Sequence, residues 1–199
     1  MEPLTTAVKM NLPLERQLKG NFPVSIDQKW RLPVPAKIRP DVMELIAWEN
    51  THAGDEVINE AARAEKATRN DAKSRDQKDS EDQVTFFVSF TLSGHIGIFT
   101  PQGLERYQKR LENLPDLDTD AETLMGMIEG WTYKQTMDKQ FRIRLPQKLC
   151  ELAGVDKGQA VAVVGRRYYL EVWGLEEWDR HSLETSKSFP EILKNLKSQ

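Results

Sequence analysis

One pattern occurs twice in this chain, and it constrains the fold before any single element is assigned. Ser25–Ile38 reads SIDQKWRLPVPAKI, and Thr136–Leu149 reads TMDKQFRIRLPQKL. The two run in step without a gap: Asp27 matches Asp138, Arg31 matches Arg142, Pro35 matches Pro146 and Lys37 matches Lys148. A second correspondence lies downstream. Phe86–Leu104 overlays Ala160–Trp178, with Phe99 on Trp173 and Leu104 on Trp178. Each copy reads as β-turn-β-α-β-β-α, with too few strands to close a core alone. Two copies packed about a pseudo-twofold resolve that, and repeats of this kind are expected to fold as one unit.

Charge is distributed unevenly. The formal net charge is −3 over 199 residues, which by itself does not announce a nucleic-acid binder. From Lys19 to Arg39, however, Lys19, Lys29, Arg31, Lys37 and Arg39 face a single acid, Asp27. From Lys134 to Lys148, Lys134, Lys139, Arg142, Arg144 and Lys148 again face one acid, Asp138. A local basic face on an acidic protein fits this segregation.

Other chemistries find little support. The single cysteine, Cys150, excludes an internal disulfide or a cysteine-based zinc site within one chain, and its apolar helical setting suits a core thiol. His52, His95 and His181 lack metal-ligand spacing. No glycine-rich phosphate loop, nucleophile elbow or Cys–His pattern is present. Asp27 and Asp138 lack a catalytic partner. No metal, cofactor, small-molecule substrate or enzymatic activity is therefore expected. The absence of an apolar leader or membrane-length run gives an expected cytoplasmic location.

The element pattern follows from apolar spacing and turn residues. Residues 1–18 form a polar extension. Strands are expected at Phe22–Ile26 and Arg31–Val34, joined by a turn at Asp27–Trp30, with a helix starting at Pro35. Val42, Leu45 and Ile46 suggest a further short helix, and the Ala-rich, charge-dense stretch 49–83 reads as an insertion, helical at most around 56–66. A hairpin over 84–99 turns near Ser93-Gly94. Helices follow around Leu104–Leu111 and Thr119–Ile128, the latter with a Thr119/Glu122 capping box. The second copy supplies strands to Met137 and at Arg142–Leu145, and a helix from Pro146 to Gly154. It then has a hairpin around Gly165-Arg166-Arg167 and a helix from Leu175 carrying Trp178. The expected divisions are a first repeat over 19–110, a linker helix over 111–133, a second repeat over 134–184 and a tail over 185–199.

Two readings of the repeated Asp-x-x-x-Arg stand side by side. In the structural one, Asp27 and Asp138 cap backbone N–H groups of their turns and pair with Arg31 and Arg142. In the functional one, the turns present Arg31 and Arg142, with Lys29 and Lys139, to phosphates and base edges. The planar guanidinium fork suits both targets, and a two-stranded ribbon fits a major groove. The readings are compatible if Asp holds the Arg that DNA uses.

The stretch Gly20-Asn-Phe-Pro-Val-Ser-Ile-Asp27-x-Lys29-x-Arg31-Leu-x-Val-Pro35, echoed by Asp138-x-x-x-Arg142-x-x-Leu-Pro146, resembles the MraZ family. Leu152-Ala-Gly-Val155 and Leu170-Glu-Val-Trp173 leading to Trp178 agree with it, so the resemblance covers Lys19 to Leu183 apart from the charged insertion. It implies a mainly β fold with short α-helices (α+β), a double-split β-barrel of duplicated AbrB-like type. It also implies a ring-like homo-oligomer that binds double-stranded DNA at repeated operator boxes, repressing the division and cell-wall gene cluster at the nucleoid. Arg31 and Arg142 would then make the main DNA contacts, and Lys29, Lys139, Arg39 and Arg144 would attract phosphates. The family has glycine before the motif arginine, whereas this chain has Trp30 and Phe141. These aromatics either pack, against neighbouring strands or at a subunit contact, or stack on or wedge against nucleotides. They also sustain an alternative, a ring-forming protein interaction module without operator binding.

Overall fold

The computed structural model describes residues 16–52, 84–112 and 119–196. The helix expected around 56–66, and all but the last residues of the expected N-terminal extension, lie outside the described residues. The strands are β1 (Asn21–Ser25), β2 (Arg31–Pro33), β3 (Thr85–Phe90), β4 (Ile96–Phe99), β5 (Tyr133–Thr136), β6 (Arg142–Arg144), β7 (Ala160–Gly165) and β8 (Tyr169–Gly174). The helices are α1 (Arg39–His52), α2 (Pro101–Glu112), α3 (Thr119–Gly130), α4 (Gln147–Leu152) and α5 (Leu175–Leu196). This is an α+β fold organised on a sheet. Most helices are short, but α5 runs through 22 residues, past the point where a separate tail is expected.

Six strands form an antiparallel sheet in the order β1-β7-β8-β4-β3-β5, and β2 pairs with β6 in a separate two-stranded ribbon. The order is open: β1 and β5 stand at its two edges, and no pairing between them closes it among the described strands. Pro23 sits in edge strand β1, where its missing donor is tolerated. The central strands β8 and β4 are almost wholly buried, which explains their near-continuous apolar character. Gly165 serves the edge: an added Cβ would meet the Lys19 backbone nitrogen at 2.5 Å, just where Leu18 and Arg167 exchange backbone hydrogen bonds.

The sheet order reads the same when β1, β3 and β4 are exchanged for β5, β7 and β8. Each half's first strand pairs with the other half's hairpin, β1 with β7 and β5 with β3. Two pairings are centred on like positions: Leu32 faces Ile143 in the ribbon, and Gly97 faces Glu171 where β4 meets β8. A pseudo-twofold passes through both. The register corrects the gapless overlay by one residue in β3. Ser25 faces Ala160 and Thr136 faces Thr85, so Thr85, not Phe86, corresponds to Ala160. The turn between β3 and β4 is longer than that between β7 and β8, which restores the match of Phe99 with Trp173.

Two helix boundaries also differ from expectation. Residues 36–38 form a turn, with Ile38 N–H donating to the Pro35 carbonyl, and α1 begins at Arg39. Pro40 therefore occupies the first helical turn, where a missing N–H leaves nothing unsatisfied. At its other end α1 continues past the expected start of the insertion. Glu49 is buried there and pairs with Arg106 of α2 at 2.7 Å, so this residue belongs to the body. Leu104, Tyr107 and Leu111 of α2 are buried at the expected helical spacing.

Candidate nucleic-acid interface

The two repeated turns have nearly identical geometry. Asp27 Oδ1 accepts backbone N–H bonds from Lys29 at 2.8 Å and Arg31 at 2.9 Å, and its Oδ2 accepts from Arg31 Nε at 2.6 Å. Asp138 Oδ1 accepts from Gln140 at 2.9 Å and Arg142 at 3.0 Å, and its Oδ2 from Arg142 Nε at 2.8 Å. Each Asp N–H in turn donates to its own Arg carbonyl. One carboxylate thus closes the loop and fixes the guanidinium beyond it. The Arg142 side chain, and then backbone N–H groups, hold the Asp138 carboxyl below its ordinary value. At Asp27 burial pushes upward, but the N–H groups of Arg31 and Lys29 and the Arg31 side chain outweigh it, again lowering the value.

The aromatics before these arginines adopt the conformation that glycine favours. Trp30 has φ 58° and Phe141 has φ 59°, both in the left-handed region. Such residues cost on the order of 1–3 kcal/mol unless their surroundings enforce the shape. Here the surroundings do so. Trp30 N–H donates to Asp27 and its carbonyl accepts from Leu145, while Phe141 N–H donates to Asp138 and its carbonyl accepts from Val34. Both rings are half-buried against the main core. Within the chain both rings therefore pack against neighbouring core residues.

The ribbon separates apolar from cationic side chains by strand alternation. Leu32 and Ile143 are buried on one face. Arg31, Arg142 and Arg144 lie on the other, with Arg31 directly opposite Arg144 and Pro33 opposite Arg142. Arg144 is exposed, whereas Arg31 and Arg142 are half-buried by their aspartates. Lys29 and Lys139 are exposed on the turns, with no ion-pair partner among the described residues. Arg39 is less free than expected: its Nε donates to the Val34 carbonyl at 2.8 Å and its guanidinium lies 4.8 Å from the Phe141 ring centre. It braces one turn against the other half. Among the described residues no group of three or more His, Cys, Asp or Glu is placed to hold a metal, and no helix is long and apolar enough to cross a membrane.

A sheet that interleaves two like halves, with an arginine-bearing ribbon on their common axis, defines a pseudo-symmetric α+β scaffold. Comparison with known proteins gives that class a family. Residues 127–198 match the family described as "MraZ protein, putative antitoxin-like". The transcriptional regulator MraZ of Desulforamulus reducens is 30% identical over 111 residues, covering 56% of this chain and 77% of that protein. That of Moorella thermoacetica is 27% identical over 113 residues, covering 57% and 78%. That of Syntrophomonas wolfei is 22% identical over 177 residues, covering 89% of this chain and 94% of that protein. The chain belongs to the MraZ family.

Proposed function

We propose that this protein is a sequence-specific, double-stranded-DNA-binding transcriptional regulator that uses the β2–β6 ribbon and its two flanking turns. The observation that carries this reading is the row of three arginines on one face of the ribbon. Like charges directly across a ladder are unfavourable unless something neutralises them. Asp27 answers Arg31, but the exposed Arg144 has no ion-pair partner among the described residues, so the face is open to an external anion. In each half the Nε of the motif arginine is held by aspartate, which leaves the guanidinium aimed and its remaining N–H groups able to read a guanine edge or clamp a phosphate. Lys29, Lys139 and Arg144 supply phosphate attraction, and Arg39 acts through its brace on Phe141.

The finer picture follows the family resemblance. On that resemblance the open sheet and the separate ribbon together correspond to a double-split barrel of two AbrB-like repeats, over 19–110 and 134–184. Copies assemble into a ring, so that several ribbons engage repeated boxes upstream of the division and cell-wall gene cluster and repress it at the nucleoid. The interaction-module alternative rests on Trp30 and Phe141, whose rings are packed against the core, and no other observation favours it.

A mobility-shift series with DNA from upstream of the protein's own gene cluster, run with excess competitor, tests the reading. Wild type should give a discrete, competitor-resistant shift whose affinity falls steeply with salt, by roughly one log–log unit per phosphate contacted. Arg31→Ala with Arg142→Ala should abolish that shift while assembly by light scattering is unchanged. An unchanged shift in the double variant would sink the assignment.

A further inference from the structure

The pseudo-twofold relates two aromatic triads with different contents. Around Phe99 lie Tyr169, with ring centres 4.7 Å apart, and Tyr107, at 5.0 Å. At the corresponding positions around Trp173 lie His95, at 3.4 Å, and His181, at 4.9 Å. The first triad borders an open cleft of about 810 Å³, which Arg110, Arg166, Arg167 and Tyr168 also line. Arg110 of α2 corresponds to Glu184 of α5, so at this position the charge changes sign across the axis.

A buried carboxylate organises this cleft. Glu171 is 1% exposed, and four donors converge on it: Thr91 Oγ1 at 2.8 Å, Ser93 Oγ at 2.5 Å, Arg166 Nε at 2.7 Å and Trp173 Nε1 at 3.0 Å. Its counterpart across the axis, Gly97, contributes no side chain. Tyr107 Oη accepts from the Leu92 N–H at 2.6 Å, which leaves its own proton available to a ligand. The Arg110 and Arg167 side chains have no ion-pair partner among the described residues, and Arg167 is held at φ 67° by the Leu18 pairing. Three arginines against one glutamate give the lining a net charge of +2.

Going beyond the ribbon's role, we propose that this cleft is a binding site for a small organic phosphate. A phosphomonoester carries about −1.5 to −2 at neutral pH, which matches the lining. Arginine forks are suited to its oxygens. The volume exceeds what a bare phosphate needs and falls within the roughly 300–1,000 Å³ of ordinary ligand pockets. The organic part rests on Tyr168, Tyr169 and Leu92. Arg110 and Arg167 clamp the phosphate, while Arg166 stays anchored on Glu171 as a fixed wall.

Calorimetric titration of the full chain at constant ionic strength, with phenyl phosphate and separately with inorganic phosphate, tests this. Phenyl phosphate should bind saturably, one per chain, and more tightly than inorganic phosphate. Arg110→Gln and Arg167→Gln should each weaken it by about tenfold, the loss of one charge-assisted hydrogen bond, with the thermal midpoint unchanged. Absence of saturable heat, or affinity unchanged in both variants, would overturn the site. Equal affinity for the two probes would remove the organic half of the assignment. Displacement of phenyl phosphate by duplex DNA lacking operator sequence would overturn it too, by making the cleft part of the nucleic-acid surface.

Discussion

Glu171 offers a sharp test of how the centre of the sheet is held. Replaced by Gln, the side chain keeps its shape. The amide oxygen can still accept from Arg166 and Trp173, and the amide N–H groups can meet the Thr91 and Ser93 hydroxyls, which rotate to accept. What is lost is charge assistance, so the expected destabilisation is about 1 kcal/mol. Replacement by Ala is different. The Trp173 indole N–H, on a residue 4% exposed, loses its acceptor among the described residues and a void opens beside it. Arg166 is 38% exposed at its side chain and recovers in water, so its charge adds little. Removing one member of a buried pair costs ~3–5 kcal/mol, and Ala should fall at the lower end because Arg166 escapes. Urea unfolding followed by tryptophan fluorescence, at one fixed protein concentration, measures both variants. The pH dependence has a definite sign. Burial raises the Glu171 pKa, but the bonds from Ser93, Trp173 and Thr91, with Arg166, lower it further than burial lifts it. The carboxylate's contribution is therefore fully present above the ordinary glutamate value of 4.5 and is lost as pH falls through the lowered one. The gap between wild type and Glu171→Gln should close in acid. Equal destabilisation by Gln and Ala would refute the view that convergent donors, not bulk, make this position costly.

Gly97→Ala should destabilise by about 1–3 kcal/mol, since the new Cβ would collide with the Phe99 ring, 2.5 Å from Cζ, and approach Thr91 Cγ2 to 2.9 Å; a fall in the thermal midpoint checks this. At Phe141 the usual order of Ala over Gly should reverse: both variants lose the ring, but only Gly relieves the φ of 59°, so Phe141→Gly should be more stable than Phe141→Ala by about 1 kcal/mol in urea unfolding. Cys150 is fully buried, and burial pushes its thiol up to about 12, so a disulfide reagent at pH 8 should leave the native protein untouched and titrate one thiol once urea unfolds it.

The parts legible in the sequence are those set by local chemistry. Asp27 and Asp138 close their turns because an aspartate four residues before an arginine has donors within reach on both backbone and side chain. The spacing of Leu104, Tyr107 and Leu111 announced a buried helical face, and Cys150 among apolar neighbours announced a core thiol. What stayed hidden depends on distant partners. A gapless overlay placed Phe86 on Ala160 because both strands are mostly apolar, so hydrophobicity could not register the longer 91–95 turn. In a sheet that one-residue slip exchanges the two faces. Glu49 read as the start of a charged insertion because its partner, Arg106, is 57 residues away. The tie of Arg39 to Val34 leaves no mark in the sequence, whereas the family glycine at the positions of Trp30 and Phe141 already points to the left-handed backbone found there.

The pseudo-twofold accounts for which features come in pairs and which do not. Interleaving requires both turns, because the Trp30 carbonyl accepts from Leu145 and the Phe141 carbonyl from Val34: each turn completes the other half's ribbon. A substitution that spoils one Asp-x-x-x-Arg loop therefore disturbs the partner strand of the other, and the motif is constrained in duplicate. The aromatic triads carry no such obligation. Each lies beside its own helix, α2 or α5, and has only to fill space beneath it. One is filled by the His95–Trp173–His181 stack, while the other keeps two tyrosines and stands beside an open, cationic cleft. Symmetric positions with unequal contents are where a duplicated scaffold can add a second task without loosening the first, which is why the cleft at Tyr107 and Arg110 is the place to look for a second ligand.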